Sequence, residues 1–201
     1  MPSVYDLKPG FQNLLRPLVG GLASRGINAN QVTILAMLLS FAAGGMIYLF
    51  PARPWPLLAM PIVLFVRMAL NAIDGMLARE HNMKSSLGAL LNELGDVLSD
   101  AALYLPLALI EGMKADWLVV IVLLAVISEM TGVVAVQIGA QRRYDGPMGK
   151  SDRAVVFGAI GLVLGMGMDP QPWMDYLLAI VCLLSCLTIF NRARKALIQL
   201  Q

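Results

Sequence analysis

Six apolar runs occupy most of the chain after residue 30. They lie at about residues 31–50, 54–79, 87–111, 116–141, 152–168 and 173–193. A helix of about 20 apolar residues is long enough to cross the hydrocarbon core of a bilayer. The linkers near 51–54 and 111–116 are short, which favours antiparallel neighbouring helices. The pattern therefore predicts an all-α integral membrane protein with six transmembrane helices.

The first thirty residues are too polar to cross a bilayer, yet their apolar residues recur at helical spacing. These apolar residues are Phe11, Leu14, Leu15, Leu18, Val19 and Leu22. Lys8, Arg16 and Arg25 lie among them, which predicts an amphipathic helix in the membrane interface, attracted to anionic lipid. We expect Pro17 or the pair Gly20–Gly21 to kink or end this helix. A poorly ordered leader is the alternative.

The chain thus divides into an interfacial amphipathic helix at 1–30 and a transmembrane domain at 31–201. Hydrophobic residues make up 58% of the chain and the mean hydropathy is +0.72, which excludes an ordinary soluble protein. Cys182 and Cys186 lie four residues apart in an apolar run, so we expect reduced thiols rather than a disulfide or a zinc site.

The basic residues predict the orientation of the spans. Arg53 and Lys114 fall on one side of the membrane, and Arg67 lies inside a span. Twelve fall on the other side: Lys8, Arg16, Arg25, Arg79, Lys84, Arg142, Arg143, Lys150, Arg153, Arg192, Arg194 and Lys195. Because cytoplasmic loops carry the excess of Lys and Arg, we expect both termini in the cytoplasm.

Residues 71–100 interrupt this apolar pattern with polar and charged side chains. Asn92, Glu93, Asp96 and Asp100 in the third span fall within an arc of roughly 100° on a helix. Arg67, Asn71, Asp74 and Ala78 in the second span share an arc of roughly 60°. A short turn joins the two spans, so these faces can meet in one cavity. Polar groups inside a membrane usually face a cavity or a partner.

Oxygen ligands on two facing helices suit Mg²⁺ or Mn²⁺, and Mg²⁺ often shares its shell with substrate phosphates. Basic residues at the same end of the spans suit anionic groups, which favours phosphoryl chemistry on a lipid. Two alternatives stay open. The acids belong to a proton or ion relay in a transporter, or they form buried ion pairs, for instance of Arg67 with Asp74 or Glu129.

The motif between Asn71 and Asp96 resembles the signature of the CDP-alcohol phosphotransferases, D-x-x-D-G-x-x-A-R-x8-G-x3-D-x3-D. Asp74, Gly75, Ala78 and Arg79 match it, and so do Gly88 and Asp96 at the expected spacing. The likeness extends over the whole chain and includes the entry to the first span, Asn30–Thr33. It is strongest to the YnbA-like branch of bacterial inner-membrane proteins.

The resemblance implies that a phosphatidyl group passes from CDP-diacylglycerol to a hydroxyl acceptor, with release of CMP. It implies Mg²⁺ or Mn²⁺ at positions 71, 74, 92 and 96, and Asp96 as the base that takes the acceptor's proton. It also implies a homodimer. The positions it assigns to the nucleotide pocket are Asn30, Thr33, Asp74, Gly75, Ala78, Arg79 and Gly88.

Two positions depart from the signature, because Asn71 and Asn92 stand where the family has aspartates. An amide oxygen still binds a hard cation but brings no charge, so we expect weaker metal binding, or compensation by Glu93 or Asp100. The alternative is a degenerate protein that binds a CDP-lipid without turnover.

The loop from Gly146 to Arg153 resembles the acceptor loop of members that use phosphorylated acceptors. In that interpretation Arg142, Lys150 and Arg153 hold the acceptor's phosphate. Alternatively, Tyr144 and Asp145 contact a neutral acceptor. The identity of the acceptor is left open by the sequence.

Overall fold

A computed structural model describes residues 8–201, and that part of the chain contains helices and no strand. The helices are α1 (Lys8–Ser24), α2 (Ala29–Leu49), α3 (Pro54–Glu80), α4 (Ser86–Tyr104), α5 (Ala115–Gln137), α6 (Lys150–Gly165) and α7 (Trp173–Gln199). Helices α2 to α7 occupy the six predicted positions, and α7 continues beyond its predicted end at residue 193.

Four helices, α2, α3, α5 and α7, are long and apolar enough to cross a membrane. This makes the chain a multi-pass membrane protein. The shorter α6 has 16 residues, a rise of about 24 Å, and α4 carries Glu93, Asp96 and Asp100. That α4 and α6 also cross the bilayer therefore remains a prediction.

Helix α4 ends earlier than the predicted third span. It stops at Tyr104 and a 3₁₀ helix, Leu105–Leu109, follows. Pro106 explains the change, because proline has no N–H to donate to the carbonyl of Ala102. Helix α2 packs against this region, and a Cβ on Gly44 would lie only 1.9 Å from the Ala102 oxygen. A glycine is therefore required at this crossing.

Helix α1 packs on α3, with Phe11 against Phe65 at a ring-centroid distance of 5.9 Å. Arg16 donates two hydrogen bonds of 3.1 Å to Glu80. The helix runs through Pro17 and Gly20–Gly21 to Ser24, so these residues do not end it, and a kink at them stays a prediction. Val19, two residues after the proline, is fully buried in an apolar cluster with α2 and α3, and such packing stabilises a helix.

Side chains of α1 that face away from the bundle are also apolar, since Leu14 is 75% exposed. The lipid interface as the location of α1 stays a prediction.

The helix bundle is held by close packing of α3 on α6, of α5 on α7, and of α2 on both α3 and α4. A Cβ on Gly161 of α6 would lie 3.0 Å from the Leu57 oxygen, and one on Gly165 would lie 2.9 Å from Leu58 N. Small residues of this kind let membrane helices approach closely. Tyr104 and Phe157 stack at 4.0 Å within the core.

The α7 thiols of Cys182 and Cys186 are free, as expected.

Candidate functional site

A cavity of about 380 Å³ opens among α1, α3, α4, α5, the 138–149 loop, α6 and α7. Its lining is Phe11, Phe65, Met68, Asn71, Ala72, Asp74, Gly75, Arg79, Asn92, Asp96, Glu129, Arg142, Tyr144, Gly149, Lys150, Ser151, Asp152 and Arg192. The second and third predicted spans thus contribute Asn71, Asp74, Asn92 and Asp96 to one space.

Two helix caps determine how the α3–α4 hairpin is positioned. Asn28 caps α2 through a reciprocal pair of 2.9 Å hydrogen bonds with Gln31. Ser85 caps α4 by accepting a 2.9 Å hydrogen bond from Gly88 N, and Asn30 donates to Ser85 Oγ at 3.4 Å. The start of α2 is therefore tied to the start of α4, one turn before Asn92.

The two aspartates that line the cavity have different partners. Asp74 is buried and accepts a 2.8 Å hydrogen bond from Thr33 of α2. Asp96 is partly buried, and its Oδ1 forms an ion pair with Lys150 of α6. Arg67 Nη2 approaches the same Oδ1 at 3.9 Å and donates to the Asp96 backbone oxygen at 3.2 Å.

Asp100 lies deeper, in a buried ion network, and does not line the cavity. Arg67 donates to it at 2.6 Å, and Arg153 donates at 3.1 Å and 2.9 Å through two nitrogens. Arg67 therefore pairs with Asp100 rather than with Asp74 or Glu129. Burial of two cations around one carboxylate requires such direct contacts, because unpaired charges in this environment are very unfavourable.

Glu129 of α5 binds three arginines. Its carboxylate lies 3.1 Å from Arg142, 3.4 Å from Arg153 and 3.2 Å from Arg192. Arg142 also contacts Glu93 at 2.6 Å. Glu93 and Asp100, the residues expected to compensate for the missing metal-binding aspartates, are thus both paired with arginines, and neither of them lines the cavity.

The path of the Arg142 side chain requires a glycine on α5. A Cβ on Gly132 would lie 1.7 Å from Arg142 Nη1 and 2.8 Å from its Cζ. The guanidinium also donates to the Glu129 backbone oxygen at 2.9 Å. Gly132 therefore lets the guanidinium lie directly on the helix backbone, between Glu93 and Glu129.

The loop that carries Arg142 is anchored to α7. Met148 N donates to Thr188 Oγ1 at 2.9 Å. Gly146 has φ +132° and packs on Thr188, where a Cβ would lie 2.6 Å from the Thr188 Cα. Asp145 accepts hydrogen bonds from Lys195 at 2.6 Å and Arg143 at 2.8 Å. Partial burial alone raises the pKa of Asp145, but these two cations outweigh it and lower the pKa below its ordinary value.

The predicted nucleotide-binding residues fall into two groups. Asp74, Gly75 and Arg79 line the cavity, and the guanidinium of Arg79 folds back over Gly75, since a Cβ there would lie 3.1 Å from Nη2. The other four lie outside the lining: Asn30 and Gly88 at the α2–α4 contact, Thr33 behind Asp74, and Ala78 in the apolar α1–α3 cluster.

The predicted phosphate-binding residues also fall into two groups. Arg142 and Lys150 line the cavity, whereas Arg153 is 1% exposed and is bound to Asp100 and Glu129. In this position its guanidinium joins α6 to α4 and α5 through the two ion pairs. A contact between Arg153 and phosphate stays a prediction.

Sequence reasoning did not assign several lining residues to the site. They are Phe11, Phe65, Met68, Ala72, Glu129 and Arg192. Tyr144 was named as an alternative acceptor contact, and Gly149, Ser151 and Asp152 belong to the loop that resembles the acceptor loop. An ionisable residue inside an apolar run was an available signal for Glu129 and Arg192. The aromatic pair Phe11 and Phe65 had no such signal, because its position depends on the docking of α1.

The donor set in the cavity suits a hard divalent cation. It comprises two carboxylates, Asp74 and Asp96, and two carboxamides, Asn71 and Asn92, and the buried Asn71 Nδ2 makes no hydrogen bond in the described structure. Within residues 8–201 no three His, Cys, Asp or Glu side chains cluster closely enough to hold a metal. These residues fit one ion that shares its shell with substrate oxygens, rather than a pair of ions held by protein alone.

Comparison with known proteins places this geometry in a family. Residues 27–190 match the model of the CDP-alcohol phosphatidyltransferases. The chain is 42% identical to the inner membrane protein YnbA of Escherichia coli K12 over 196 residues, 98% of this chain and 97% of that protein. It is 34% identical over 103 residues to the archaetidylinositol phosphate synthase of Pyrococcus horikoshii, 51% of this chain and 52% of that one.

Solved structures share the fold. The phosphatidylinositol phosphate synthase PgsA1 of Mycobacterium tuberculosis with CDP-DAG bound has a TM-score of 0.72 at 20% identity, covering 90% of this chain and 92% of that one. Its complex with manganese and citrate has the same score and identity, covering 90% and 87%. The family match spans both helices of the Asn71–Asp96 motif and nearly all the rest of the bundle. The chain belongs to the CDP-alcohol phosphatidyltransferase family.

Proposed function

We propose that the protein transfers a phosphatidyl group from CDP-diacylglycerol to a hydroxyl acceptor and releases CMP. The observation that carries this proposal is the placement of Asp74 and Asp96 in one cavity with Arg79, Arg142 and Lys150. Carboxylates provide a base and metal ligands, and the cations provide contacts for phosphate oxygens. The CDP-DAG bound to the tuberculosis synthase of the same fold supports the choice of donor.

Mg²⁺ or Mn²⁺ is the proposed cofactor, with oxygens of Asn71, Asp74, Asn92 and Asp96 as its protein ligands. When bound, such an ion neutralises charge that develops on the diphosphate and on the leaving CMP. Thr33 orients the Asp74 carboxylate by its 2.8 Å hydrogen bond. The manganese bound to the tuberculosis synthase supports a divalent cation in a site of this fold.

Asp96 is the proposed catalytic base. The acceptor oxygen forms a bond to the phosphorus that carries diacylglycerol, the bond from that phosphorus to the oxygen of CMP breaks, and the hydroxyl proton passes to Asp96. Lys150 and Arg67 both approach Oδ1 of this carboxylate. Oδ2 is therefore the oxygen that we assign to proton transfer.

Arg79 is the proposed contact of the nucleotide, over the small surface of Gly75. Asn30, Thr33, Ala78 and Gly88 support that pocket by holding the ends of α2, α3 and α4 together. Arg142 and Lys150 are the proposed contacts of a phosphate on the acceptor, next to Tyr144. Arg153 acts at a distance, by fixing Asp100 and Glu129.

The proposed topology has six transmembrane helices, with the termini and the cavity on the cytoplasmic face of a bacterial inner membrane. The basic residues near the cavity support it through the positive-inside rule, as does the likeness to an inner membrane protein of Escherichia coli. Labelling of single cysteines from each side of the membrane tests this topology. A homodimer, implied by the family resemblance, is tested by mass measurement in nanodiscs.

Release of CMP from CDP-diacylglycerol by the purified protein tests the transfer. We expect release that depends on Mg²⁺ or Mn²⁺, stops with EDTA, and is lost in Asp96→Asn. Asp116→Asn, an exposed carboxylate at the start of α5, is the matched control and should keep activity. Unchanged release by Asp96→Asn would remove Asp96 from the role of base.

The acceptor is identified by mass spectrometry of lipids from cells with and without the protein.

A second candidate is a protein that binds a CDP-lipid without turnover. The presence of only two carboxylates among the four signature positions, one of them paired with Lys150, favours it. It predicts saturable binding of CDP-diacylglycerol with no CMP from any acceptor offered. A gain of activity from none in the double variant Asn71→Asp, Asn92→Asp would establish a degenerate site, whereas a loss of existing activity would establish an altered but working one.

A further inference from the structure

The charges that line the cavity balance without any bound ion. Four cationic and four carboxylate side chains line it among the described residues. The cations are Arg79, Arg142, Lys150 and Arg192, and the carboxylates are Asp74, Asp96, Glu129 and Asp152. Aspartates at positions 71 and 92 would make the same lining doubly negative. With asparagine at both positions, the formal charge is zero.

One of these cations is already paired with a carboxylate that a metal ion would need as a ligand. The ammonium of Lys150 forms an ion pair with Asp96 Oδ1, and the Arg67 guanidinium lies 3.9 Å from the same oxygen. A divalent ion that enters the cavity without nucleotide must therefore compete with resident cations and would leave a net charge of about +2 in a medium of low dielectric constant. That state is unfavourable.

A diphosphate diester changes this balance. Its two phosphate groups bring about two negative charges, which one divalent cation neutralises. It also brings oxygen ligands that replace the charge missing at Asn71 and Asn92. In addition, a phosphate oxygen offers an alternative partner to Lys150, whose long side chain can leave Asp96, and an acceptor for the unpaired Nδ2 of Asn71.

From this balance we infer that the cavity takes up a single divalent cation together with the CDP diphosphate and does not retain one beforehand, with Lys150 acting as the resident cation of Asp96 until then. This inference rests on the proposed function for the identity of the diphosphate. It assigns to Asn71, Asn92 and Lys150 a role in the order of binding: the nucleotide carries the metal into the site.

Mn²⁺ binding followed by electron paramagnetic resonance tests the inference without any turnover. Purified protein in micelles is titrated with Mn²⁺ alone and then with CDP-diacylglycerol present, and micelles with the nucleotide lipid but no protein serve as the blank. We expect wild-type protein to bind Mn²⁺ at least tenfold more tightly with the nucleotide lipid, at one ion per chain. Two ions per chain, or equal affinity in both conditions, would overturn the inference.

Two variants test the residues responsible. Asn71→Asp with Asn92→Asp should bind Mn²⁺ without nucleotide at least tenfold more tightly than wild type, because it restores two negative charges. Lys150→Met should shift nucleotide-free binding in the same direction, by freeing Asp96. Lys84→Met, a basic residue in the exposed turn before α4 and outside the lining, is the matched control and should change nothing.

Binding of CDP-diacylglycerol and release of CMP with Mn²⁺ present separate this inference from the proposed function. If the lipid neither binds nor releases CMP in Mn²⁺, the proposed function is wrong. The charge argument is still decided by the nucleotide-free affinity of the double variant for Mn²⁺. If the double variant unfolds at the same temperature as wild type but gains no affinity for Mn²⁺, the charge argument is wrong.

Discussion

Arg153 donates two hydrogen bonds to a single oxygen of Asp100, at 3.1 Å from Nε and 2.9 Å from Nη2. The other oxygen of Asp100 accepts a 2.6 Å hydrogen bond from Arg67. All three side chains are buried, so one carboxylate on α4 holds cations from α3 and α6. This contact joins the three helices immediately behind the aspartates of the cavity.

We predict that Asp100→Asn lowers the free energy of unfolding by about 3–5 kcal/mol, because it leaves two buried guanidinium groups with too little negative charge. SDS-driven unfolding in mixed micelles measures the change. Asp116→Asn, at an exposed position on α5, should change it by less than about 0.5 kcal/mol. A cost for Asp100→Asn as small as that of the control would show that the network contributes little.

Gly132→Ala should displace the Arg142 side chain from Glu93 and Glu129, since the new Cβ would lie 1.7 Å from Nη1. We expect a destabilisation of about 1–3 kcal/mol, typical of overpacking, and a rise in KM for the acceptor. Gly45→Ala on α2 is the control, because nothing lies within 4 Å of the Cβ position there. It should be neutral or slightly stabilising, since alanine favours a helix over glycine. Equal effects of both substitutions would exclude the steric explanation.

Gly75→Ala should weaken CDP-lipid binding about 10- to 100-fold with little loss of stability. The Cβ would meet only the flexible end of Arg79, at 3.1 Å from Nη2, and would push it off the cavity. Losing one charge-assisted hydrogen bond corresponds to about 1.5–3 kcal/mol. Equilibrium binding of a radiolabelled CDP-lipid measures the affinity.

A double-mutant cycle with Arg79→Ala checks the route of this effect. If Gly75 acts through Arg79, the double variant binds as weakly as Arg79→Ala alone. Additive losses would show that Gly75 contacts the ligand by itself.

The contribution of Asp145 to stability should depend on pH. Lys195 and Arg143 lower its pKa in the folded protein, against the effect of burial. Its stabilising effect is therefore fully present above the ordinary value of about 3.9 and is lost as the pH falls through the lower folded pKa. Thermal unfolding of wild type and Asp145→Asn at pH 7 and at pH 3 measures it. The difference in Tm should shrink at pH 3, and a constant difference would contradict the assignment.

The sequence predicted the number and position of the helices well, because apolar periodicity is a property of each segment alone. Its errors lie where packing overrides local preference. Pro17 does not end α1, since Val19 anchors the helix to its neighbours, while Pro106 does end α4. Both are prolines in helical sequence, and the local pattern alone does not distinguish them.

The site divides in the same way. The spacing along two helices predicted that Asn71, Asp74, Asn92 and Asp96 lie on one side of a hairpin. In the structure all four line one cavity. Spacing did not reveal which cation each carboxylate meets. Those partners come from α5, α6, α7 and the loop before α6, at sequence separations that no local pattern encodes.

By itself, the sequence determined that this chain is a helical membrane protein with an altered CDP-alcohol phosphotransferase signature, because hydropathy, helical period and motif spacing are local properties. Only the tertiary structure decided that Asp100 and Arg153 are bound to each other rather than available to ligands, and that Lys150 contacts Asp96. Those outcomes depend on which helices pack together. In a buried site of low dielectric constant, the nearest opposite charge determines what each ionised group can do.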